Sequence, residues 1–174
     1  MEIKLRQYKL RSFKNDDALS IAKYANNKNI WLNLRDGFPH PYTIVDAKDF
    51  ISKAKVNHPK TFFAISSEDE VIGSIGITIG QDVHIQTAEL GYWLAEPFWN
   101  RGIITEAVQK IVAYAFENFQ IIRISAEPYS SNTASAKVLE KCGFEYEGRL
   151  KSSVIKDGKI LDQLIYAIIK KMDD

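Results

Sequence analysis

A carboxylate, a glycine turn and a helix with an apolar face follow one another within residues 86–105. Glu89 lies just before the apolar strand residues 90–94, where a carboxylate can act as a base. The turn around Gly102 leads straight into a helix, so a row of backbone N–H groups and the positive end of the helix dipole converge on one point. That arrangement suits a pyrophosphate. The segment therefore predicts an enzyme that uses a phosphorylated carrier.

Each of these features also has a purely structural explanation. A glycine at a strand-to-helix junction is often only a turn residue, and Glu89 could face solvent from its strand. His84 is either a second candidate base or a surface residue. The turn is not followed by Gly-Lys-Ser/Thr, which excludes a P-loop, and its single glycine argues against a dinucleotide fingerprint. The pyrophosphate hypothesis therefore needs support from elsewhere in the chain.

Polar residues near the C-terminal half offer further candidates. Asn132 and Ser135 stand three residues apart at a helix start, a spacing that is typical of an N-cap and the first turn. Cys142 is predicted to pack in the interior rather than to react. Asp162 is predicted either to bind a cationic substrate or to pair across strands with a residue such as Lys151.

Length and composition limit the classes to which this protein can belong. The chain has 174 residues, 45% of them hydrophobic, which predicts one domain over residues 1–174. A net charge of +1 does not favour binding to nucleic acid or to a membrane surface. One cysteine excludes an internal disulfide and a multi-cysteine zinc site, and there is no run of signal-peptide or membrane-span length. We therefore expect a cytoplasmic protein without a metal.

The apolar periodicity predicts strands and helices that mix in one sheet structure. Helices are expected at 19–25, opened by Asn15 or Asp16, at 46–54 after a cap within 43–46, at 107–115, and from Asn132 to Gly143. Strands are expected at 3–11, 61–65, 71–79, 85–94, 121–126, 144–153 and 160–169. This order, with two strand-to-helix crossovers, predicts a mixed α/β or α+β fold with helices on both faces of the sheet.

Residues 132–144, Asn-Thr-Ala-Ser-Ala-Lys-Val-Leu-Glu-Lys-Cys-Gly-Phe, resemble the GNAT superfamily of acetyl-CoA-dependent N-acetyltransferases. The loop 38–42 and the helix start at 46–47 resemble the branch that includes the ribosomal-protein N-terminal (alanine) acetyltransferases. The resemblance covers nearly the whole chain. It implies a mostly antiparallel, twisted sheet that is splayed between the two crossovers, with acetyl-CoA (CoA) as co-substrate.

The pyrophosphate loop of the family has the pattern Gln/Arg-x-x-Gly-x-Gly/Ala, which residues 99–104 match at Gly102. Trp99 and Ile104 depart from the pattern. The β-branched Ile104 is expected to narrow the approach of the phosphates, but the loop should still bind them because the contact is mostly through backbone N–H groups. Arg101 is expected either to add a charge-assisted contact or to lie at the surface. The resemblance implies that CoA is bound by Tyr92, Trp93, Leu94, Asn100, Arg101, Gly102, Ile103, Ile104, Thr105, Asn132 and Ser135.

The resemblance also implies a direct transfer in a ternary complex. Glu89 stands where some members of the family carry the general base, and a backbone N–H within 92–94 would polarise the acetyl carbonyl. Many members carry a tyrosine as general acid where this chain has Leu139. Ser135 is our substitute candidate, with Tyr129 and Tyr166 as further candidates.

The acceptor is expected to be a primary amine, either a protein N-terminus or a small-molecule amine. By resemblance, Trp31, Phe38 and Tyr42 would bind it, while His40 is either part of that loop's site or a turn residue. The sequence leaves open another acyl donor such as succinyl-CoA, and a non-catalytic CoA-binding sensor or scaffold. The resemblance further suggests a homodimer in which the last strands supply the contact. Carboxylates that could serve a polyamine are Asp36, Asp46, Glu96 and Asp162.

Overall fold

The computed structural model of the protein describes residues 2–56 and 58–171. Eight strands and five α-helices are described, together with three short 3₁₀ turns. The strands are β1 (Glu2–Lys4), β2 (Lys9–Arg11), β3 (Phe62–Ser66), β4 (Val71–Ile79), β5 (Thr87–Leu94), β6 (Arg123–Ala126), β7 (Glu145–Lys156) and β8 (Lys159–Ile169). The helices are α1 (Ala18–Ala25), α2 (Lys28–Trp31), α3 (Ile44–Ala54), α4 (Ile103–Asn118) and α5 (Thr133–Lys141). The 3₁₀ turns are Asn15–Asp17, Asp82–His84 and Glu96–Phe98.

The chain forms two compact units. The first unit comprises Met1–Gly76 and Tyr92–Ala107, and the second unit comprises Ile77–Gly91 and Val108–Asp174. Residues 71–76 of β4 and 92–94 of β5 belong to the first unit, and the remaining residues of both strands belong to the second. The order of strands is therefore β1-β2-β3-β4-β5 in the first unit and β4-β5-β6-β8-β7 in the second. A single domain over 1–174 therefore stays a prediction. None of the helices in the described part of the chain is long and apolar enough to cross a membrane.

The first unit contains an antiparallel sheet that begins with a hairpin. The sequence predicted one strand over 3–11, and this is wrong. The chain turns back between β1 and β2, where the N–H of Leu5 donates to the carbonyl oxygen of Tyr8 at 3.0 Å. The strands β2, β3 and β4 continue the antiparallel order. Leu10 is fully buried in this sheet, as its place in the alternating pattern requires.

The helices of the first unit cover its core and differ from prediction at their ends. The capping box at Thr43 and Asp46 opens α3 as predicted. Capping of the first helix by Asn15 or Asp16 is wrong, because a 3₁₀ turn precedes α1 and the carboxylate of Asp17 accepts from the N–H of Lys14 at 2.7 Å. Leu19 is 71% exposed rather than buried. The core includes Phe13, Ile21, Ala25, Ile30, Tyr42, Ala47, Ile51, Ala64, Val71 and Trp93.

The second unit holds the one parallel pair among the described pairings. Residues 87–89 of β5 pair in parallel with 123–125 of β6, while β6–β8 and β7–β8 are antiparallel. The predicted start of β5 at residue 85 is wrong, because the 3₁₀ turn occupies Asp82–His84 and the strand begins at Thr87. The turn at Asp157 and Gly158 joins β7 to β8 as predicted, and both residues have positive φ angles (49° and 73°).

The ion pair between the half-buried Arg11 and the buried Asp17 anchors the start of α1 to β2. Two guanidinium nitrogens of Arg11 donate to the two carboxylate oxygens of Asp17, each at 2.8 Å. Burial of Asp17 opposes its charge, but the hydrogen bonds from Arg11 and from the N–H of Lys14 outweigh burial, so the pKa of Asp17 is lowered. The charged form is therefore the one that stabilises the fold.

We predict that Asp17→Asn destabilises the protein by about 3 kcal/mol at pH 7, because the half-buried charge of Arg11 loses its partner. Since the folded-state pKa of Asp17 is depressed, its contribution is fully present above the unfolded pKa of about 3.9 and is lost as the pH falls through the folded value. Urea denaturation between pH 7 and pH 3 measures this. Asp16→Asn, an exposed change in the same turn, is the control, and a loss that persists unchanged at pH 3 would contradict the assignment.

Candidate functional site

The end of β5 and the turn that follows are fastened within the first unit by two hydrogen bonds. The N–H of Ala95 donates to the carbonyl oxygen of Ile72 at 2.7 Å. The indole N–H of Trp99 donates to the carbonyl oxygen of Leu94 at 2.7 Å. Trp99, which departs from the family's loop pattern, therefore ties the turn to the strand that precedes it.

Alternation along β5 determines where its last backbone groups point. Ala95 directs its N–H to β4, and so does every second residue of an antiparallel strand, which includes Trp93. A Cβ atom on Gly73 of β4 would lie 2.4 Å from the carbonyl oxygen of Trp93, so the two strands approach closely there. Tyr92 and Leu94 consequently direct their backbone groups away from β4. Sequence reasoning missed Gly73, although a glycine inside a strand is a signal of close backbone approach.

The turn at Gly102 has the backbone conformation that an anion cradle requires. Asn100 and Gly102 have positive φ angles of 60° and 75°. The N–H of Glu106 donates to the carbonyl oxygen of Gly102 at 3.1 Å, so α4 begins directly after the turn and the N–H groups of Ile103 and Ile104 point out of the helix end. A Cβ atom on Gly102 would meet nothing within 4 Å. The backbone is open to a phosphate on that side.

Arg101, the predicted phosphate contact, is exposed and lies over an aromatic ring. Its guanidinium carbon is 5.3 Å from the centre of the Phe98 ring, within the range of a cation–π contact. Ile104 is half-buried. The side chains of Trp93 and Leu94 are buried, so any contact that they make with a ligand runs through their backbone.

The predicted acceptor residues form two aromatic pairs in the first unit. The rings of Trp31 and His40 are stacked, with centres 5.6 Å apart, and those of Phe38 and Tyr42 lie 4.7 Å apart. Phe38 also meets Trp93 edge-on at 6.0 Å. The structure therefore pairs Trp31 with His40 and Phe38 with Tyr42, and the second pair contacts β5 through Phe38.

Tyr42 lies in the core of the first unit rather than at its surface. It is 7% exposed, and its N–H donates to the side-chain oxygen of Asn26 at 3.1 Å. Burial, and then the charges of Asp46 and Asp49, raise the pKa of Tyr42 to about 12. The phenol is therefore protonated at neutral pH and cannot serve as a base.

A carboxylate between β5 and α4 holds the short helix α2, which sequence reasoning missed. Glu96 accepts hydrogen bonds from the side-chain amides of Asn27 at 2.7 Å and of Asn29 at 3.1 and 3.2 Å. These bonds lower the pKa of Glu96. The only sequence signal was a run of asparagines, Asn26-Asn27-Lys28-Asn29, because the pairing joins residues nearly 70 positions apart.

Glu89, the predicted base, stands in the second unit where the parallel ladder ends. It is half-buried and is the last β5 residue paired with β6, opposite Ser125. β6 ends one residue later at Ala126, whereas β5 continues. His84, the alternative base, is exposed in the turn before β5.

Asn132 caps α5, as the structural explanation required. Its side-chain oxygen accepts from the N–H of Ser135 at 3.1 Å. The segment before it is held by β8, where the N–H of Ser130 donates to the carbonyl oxygen of Asp162 and the N–H of Leu164 to that of Pro128, both at 2.9 Å. This cap does not exclude a ligand, since it uses the side-chain oxygen of Asn132 and not its amide nitrogen.

The candidate acids differ in their surroundings. Ser135 is half-buried at the start of α5, and Leu139 is fully buried. Tyr166 is buried, and its hydroxyl donates to Glu140 at 3.0 Å. Burial and then the bond to Glu140 raise the pKa of Tyr166. Tyr129 is buried as well.

Two smaller predictions in the second unit have clear outcomes. Burial raises the pKa of the half-buried Cys142 thiol to about 11, which suppresses the reactive thiolate and agrees with a packing role. The prediction that Asp162 has a basic cross-strand partner is confirmed, but the residue on β7 that forms the ion pair is Arg149. Lys151 acts on Asp162 only through its charge, which helps to lower the pKa of that carboxyl. Asp162 accepts from the Nε atom of Arg149 at 2.5 Å and from the N–H of Ser152 at 2.7 Å, because a bulge in β7 turns these groups toward it.

The structure thus sorts the candidate residues into two sets. The first unit contains Trp31, Phe38, Tyr42, residues 92–94 and residues 100–105, and the second contains Glu89, Asn132 and Ser135. Three of the carboxylates proposed for a polyamine accept hydrogen bonds within the protein. Asp46 accepts from the N–H of Thr43, Glu96 from the amide of Asn27 and Asp162 from the guanidinium of Arg149. Within 2–56 and 58–171, no group of three or more histidine, cysteine or acidic residues could hold a metal ion.

Comparison with known proteins identifies relatives of this chain. Residues 8–145 match the sequence pattern of the acetyltransferase (GNAT) domain. An uncharacterized N-acetyltransferase, p20, of Bacillus licheniformis is 30% identical over 170 residues, which cover 93% of this chain and 92% of that protein. A ribosomal-protein-serine acetyltransferase of Escherichia coli is 33% identical over 107 residues, which cover 62% of this chain and 59% of that protein.

Solved structures share the fold. A ribosomal-protein α-N-acetyltransferase, RimL, solved in complex with coenzyme A, superposes with a TM-score of 0.85 at 21% sequence identity, over 97% of this chain and 98% of that one. The expected fold class, a mixed α/β structure with a mostly antiparallel sheet, is thereby confirmed.

We predict that Tyr42→Ala lowers the free energy of unfolding by about 3–5 kcal/mol, because it empties an aromatic site in the core. Tyr42→Phe keeps the ring and should cost less than about 1.5 kcal/mol. Urea denaturation of both variants measures the difference. Equal losses would contradict a packing role for the ring. A stability loss of this size also means that Trp31→Ala, at the partly exposed stack, is the better variant for testing acceptor binding.

Proposed function

Because this chain belongs to the GNAT family of acetyl-CoA-dependent N-acetyltransferases, we propose that it transfers the acetyl group to the free amino group of a protein N-terminus. The turn at Gly102 is the observation that supports an acetyl-CoA site. Its positive φ angle, the open space beside it and the N-terminus of α4 together suit a pyrophosphate.

Backbone groups would do most of the binding of acetyl-CoA. We assign the pyrophosphate to the N–H groups within 100–105, which explains why Ile104 can replace a small residue: the contact does not use its side chain. The pantetheine would pair with Tyr92 and Leu94, whose backbone groups face away from β4. Asn132 and Ser135, at the start of α5, would serve the thioester end.

The reaction would proceed by direct attack in a ternary complex. The amine nitrogen attacks the thioester carbon, the C–N bond forms, and the C–S bond breaks to release the CoA thiolate. Glu89 takes the proton of the amine directly or through water, and Ser135 provides a proton toward the thiolate, which leaves readily near neutral pH. The N–H of Leu94 is our candidate for polarising the acetyl carbonyl.

The acceptor class rests on relatives rather than on geometry. The Escherichia coli relative and the RimL structure are both named for ribosomal proteins. A small-molecule amine is the alternative acceptor, and another acyl-CoA the alternative donor. A non-catalytic CoA sensor is the alternative outside catalysis, and Leu139 in place of the expected tyrosine is the observation that favours it.

Three further features belong to the same proposal. We propose that residues 1–174 act as one catalytic domain, which is supported by a family match that runs through both units. We propose a homodimer that uses the hairpin of β7 and β8, where the paired residues Ile155 and Ile160 are 71% and 67% exposed. A ribosomal acceptor would require a cytoplasmic location.

Thermal melting with and without acetyl-CoA tests the carrier site. A ligand present at a hundredfold excess over its dissociation constant stabilises the native state by about 2.7 kcal/mol. For a chain of this size the melting temperature should rise by roughly 5–10 °C. We expect Gly102→Glu to abolish the rise, because it places a side chain and a negative charge where the phosphates would lie.

Gly158→Glu is the matched control. Gly158 also has a positive φ angle, 73°, and open space around it, but it lies in the turn between β7 and β8. Both variants carry the same backbone strain and the same charge change, so only loss of ligand binding separates them. If the wild-type protein shows no shift, or if both variants lose it equally, the Gly102 turn is not the carrier site.

We predict that Glu89→Gln lowers kcat by about 100-fold or more, because the amine loses its proton acceptor in the transition state. The thermal shift with acetyl-CoA should stay unchanged, since Glu89 is not assigned to binding. Release of the free CoA thiol, with peptides that begin in Ser or Ala as acceptors, measures the rate. Glu117→Gln, an exposed change on α4, is the control. An unchanged kcat would show that Glu89 is not the general base, and His84→Ala would then be the next variant to measure.

A further inference from the structure

Glu96 connects two parts of the first unit that the proposed function assigns to different substrates. In the chain it follows Leu94 by two residues and precedes Asn100 by four, so it stands between the two stretches assigned to acetyl-CoA. In space its carboxylate holds the amides of Asn27 and Asn29 at the start of α2. Helix α2 carries Trp31, a proposed acceptor residue.

Helix α2 depends on outside contacts for its conformation. It spans only Lys28–Trp31, far too short to be stable by itself. Its N-cap is Asn27, whose side-chain oxygen accepts from the N–H of Asn29 at 2.8 Å. The amide nitrogen of the same side chain donates to Glu96. Glu96 therefore fixes which way the Asn27 amide is turned, because a carboxylate accepts hydrogen bonds only and selects the nitrogen.

The anchor on the other side of Glu96 is rigid. Ala95 is bonded to Ile72, and the N–H groups of Phe98 and Trp99 donate to the carbonyl oxygens of Ala95 and Glu96 at 2.9 and 3.1 Å. The carboxylate thus extends from a fixed turn. Trp31, at the end of α2, stacks on His40 in the following loop.

We propose that Glu96 is a positioning residue that sets the acceptor-binding segment, α2 with its Trp31–His40 stack, relative to the acetyl-CoA-binding turn of the same unit. This inference rests on the proposed function for the role of Trp31. Glu96 touches neither substrate in this scheme. It acts through Asn27 and Asn29, and its loss changes how the acceptor is held rather than how acetyl-CoA is bound.

Steady-state kinetics with a peptide beginning in Ser as acceptor tests the proposal. We expect Glu96→Ala to raise the KM for the peptide about tenfold, because the hydrogen bonds that orient α2 are lost. The KM for acetyl-CoA should change by less than about twofold, and the thermal shift with acetyl-CoA should be unchanged, because Glu96 is not assigned to acetyl-CoA binding. Asn29→Ala removes two of the three bonds and leaves the Asn27 cap in place, so it should raise the same KM.

The double variant identifies the interaction. If Glu96 acts through Asn29, Glu96→Ala with Asn29→Ala should be no worse than Glu96→Ala alone, whereas additive effects would contradict the proposal. Glu96→Gln keeps one accepting oxygen and should restore part of the loss. Glu68→Ala, which removes an exposed carboxylate from the turn between β3 and β4, is the matched control and should change nothing.

Amide hydrogen exchange gives a readout that does not depend on activity. We expect faster exchange at the N–H groups of Trp31 and Leu32, which close α2 onto Asn27 and Lys28, in Glu96→Ala and not in Glu68→Ala. Unchanged exchange would overturn the anchor itself. A wild-type protein that binds acetyl-CoA but acetylates no peptide would overturn the proposed function and the kinetic role of Glu96, while exchange would still decide whether Glu96 holds α2.

Discussion

The hydrogen-bonding direction of β5 is the constraint on which the candidate site depends. Every residue of a strand offers one N–H and one carbonyl group, and alternate residues offer them to opposite sides. Ala95 directs its N–H to β4, which fixes Trp93 on that side and Tyr92 and Leu94 on the other. In the proposed function, the backbone groups of Tyr92 and Leu94 that face away from β4 bind the pantetheine arm. A strand can bind a ligand in this way through its backbone groups alone, whatever its side chains are.

Trp99 shows how a departure from a family pattern can be compensated by the fold. A polar residue at the start of the loop would donate a hydrogen bond to the phosphates. Trp99 instead donates its indole N–H to the carbonyl oxygen of Leu94. That bond uses one acceptor at the end of β5 and fixes the start of the turn. Leu94 keeps its N–H directed away from β4, which is why we assign the acetyl carbonyl to that group and not to Trp93.

Local signals predicted the parts of the structure that depend on neighbours in sequence. The capping residue Asn132, the positive φ angle at Gly143 that ends α5, and the tight turn at Asp157 and Gly158 all follow from a few adjacent residues. The turn at Gly102 was predicted for the same reason. The reversal between β1 and β2 was missed, because residues 3–11 carry the alternation of one strand and no Gly or Pro marks the turn.

Pairings between distant residues were not predictable, since one sequence does not show which polar groups meet. Glu96 was considered only as a carboxylate for a cationic acceptor, and Asp162 was left between that role and a cross-strand partner such as Lys151. The structure instead commits Glu96 to Asn27 and Asn29, and Asp162 to Arg149. A carboxylate whose oxygens already accept several hydrogen bonds has less to offer a polyamine than a carboxylate held only by water. Glu96 and Asp162 are therefore less suited to binding a polyamine, while the proposal of a protein N-terminus as acceptor still rests on the relatives.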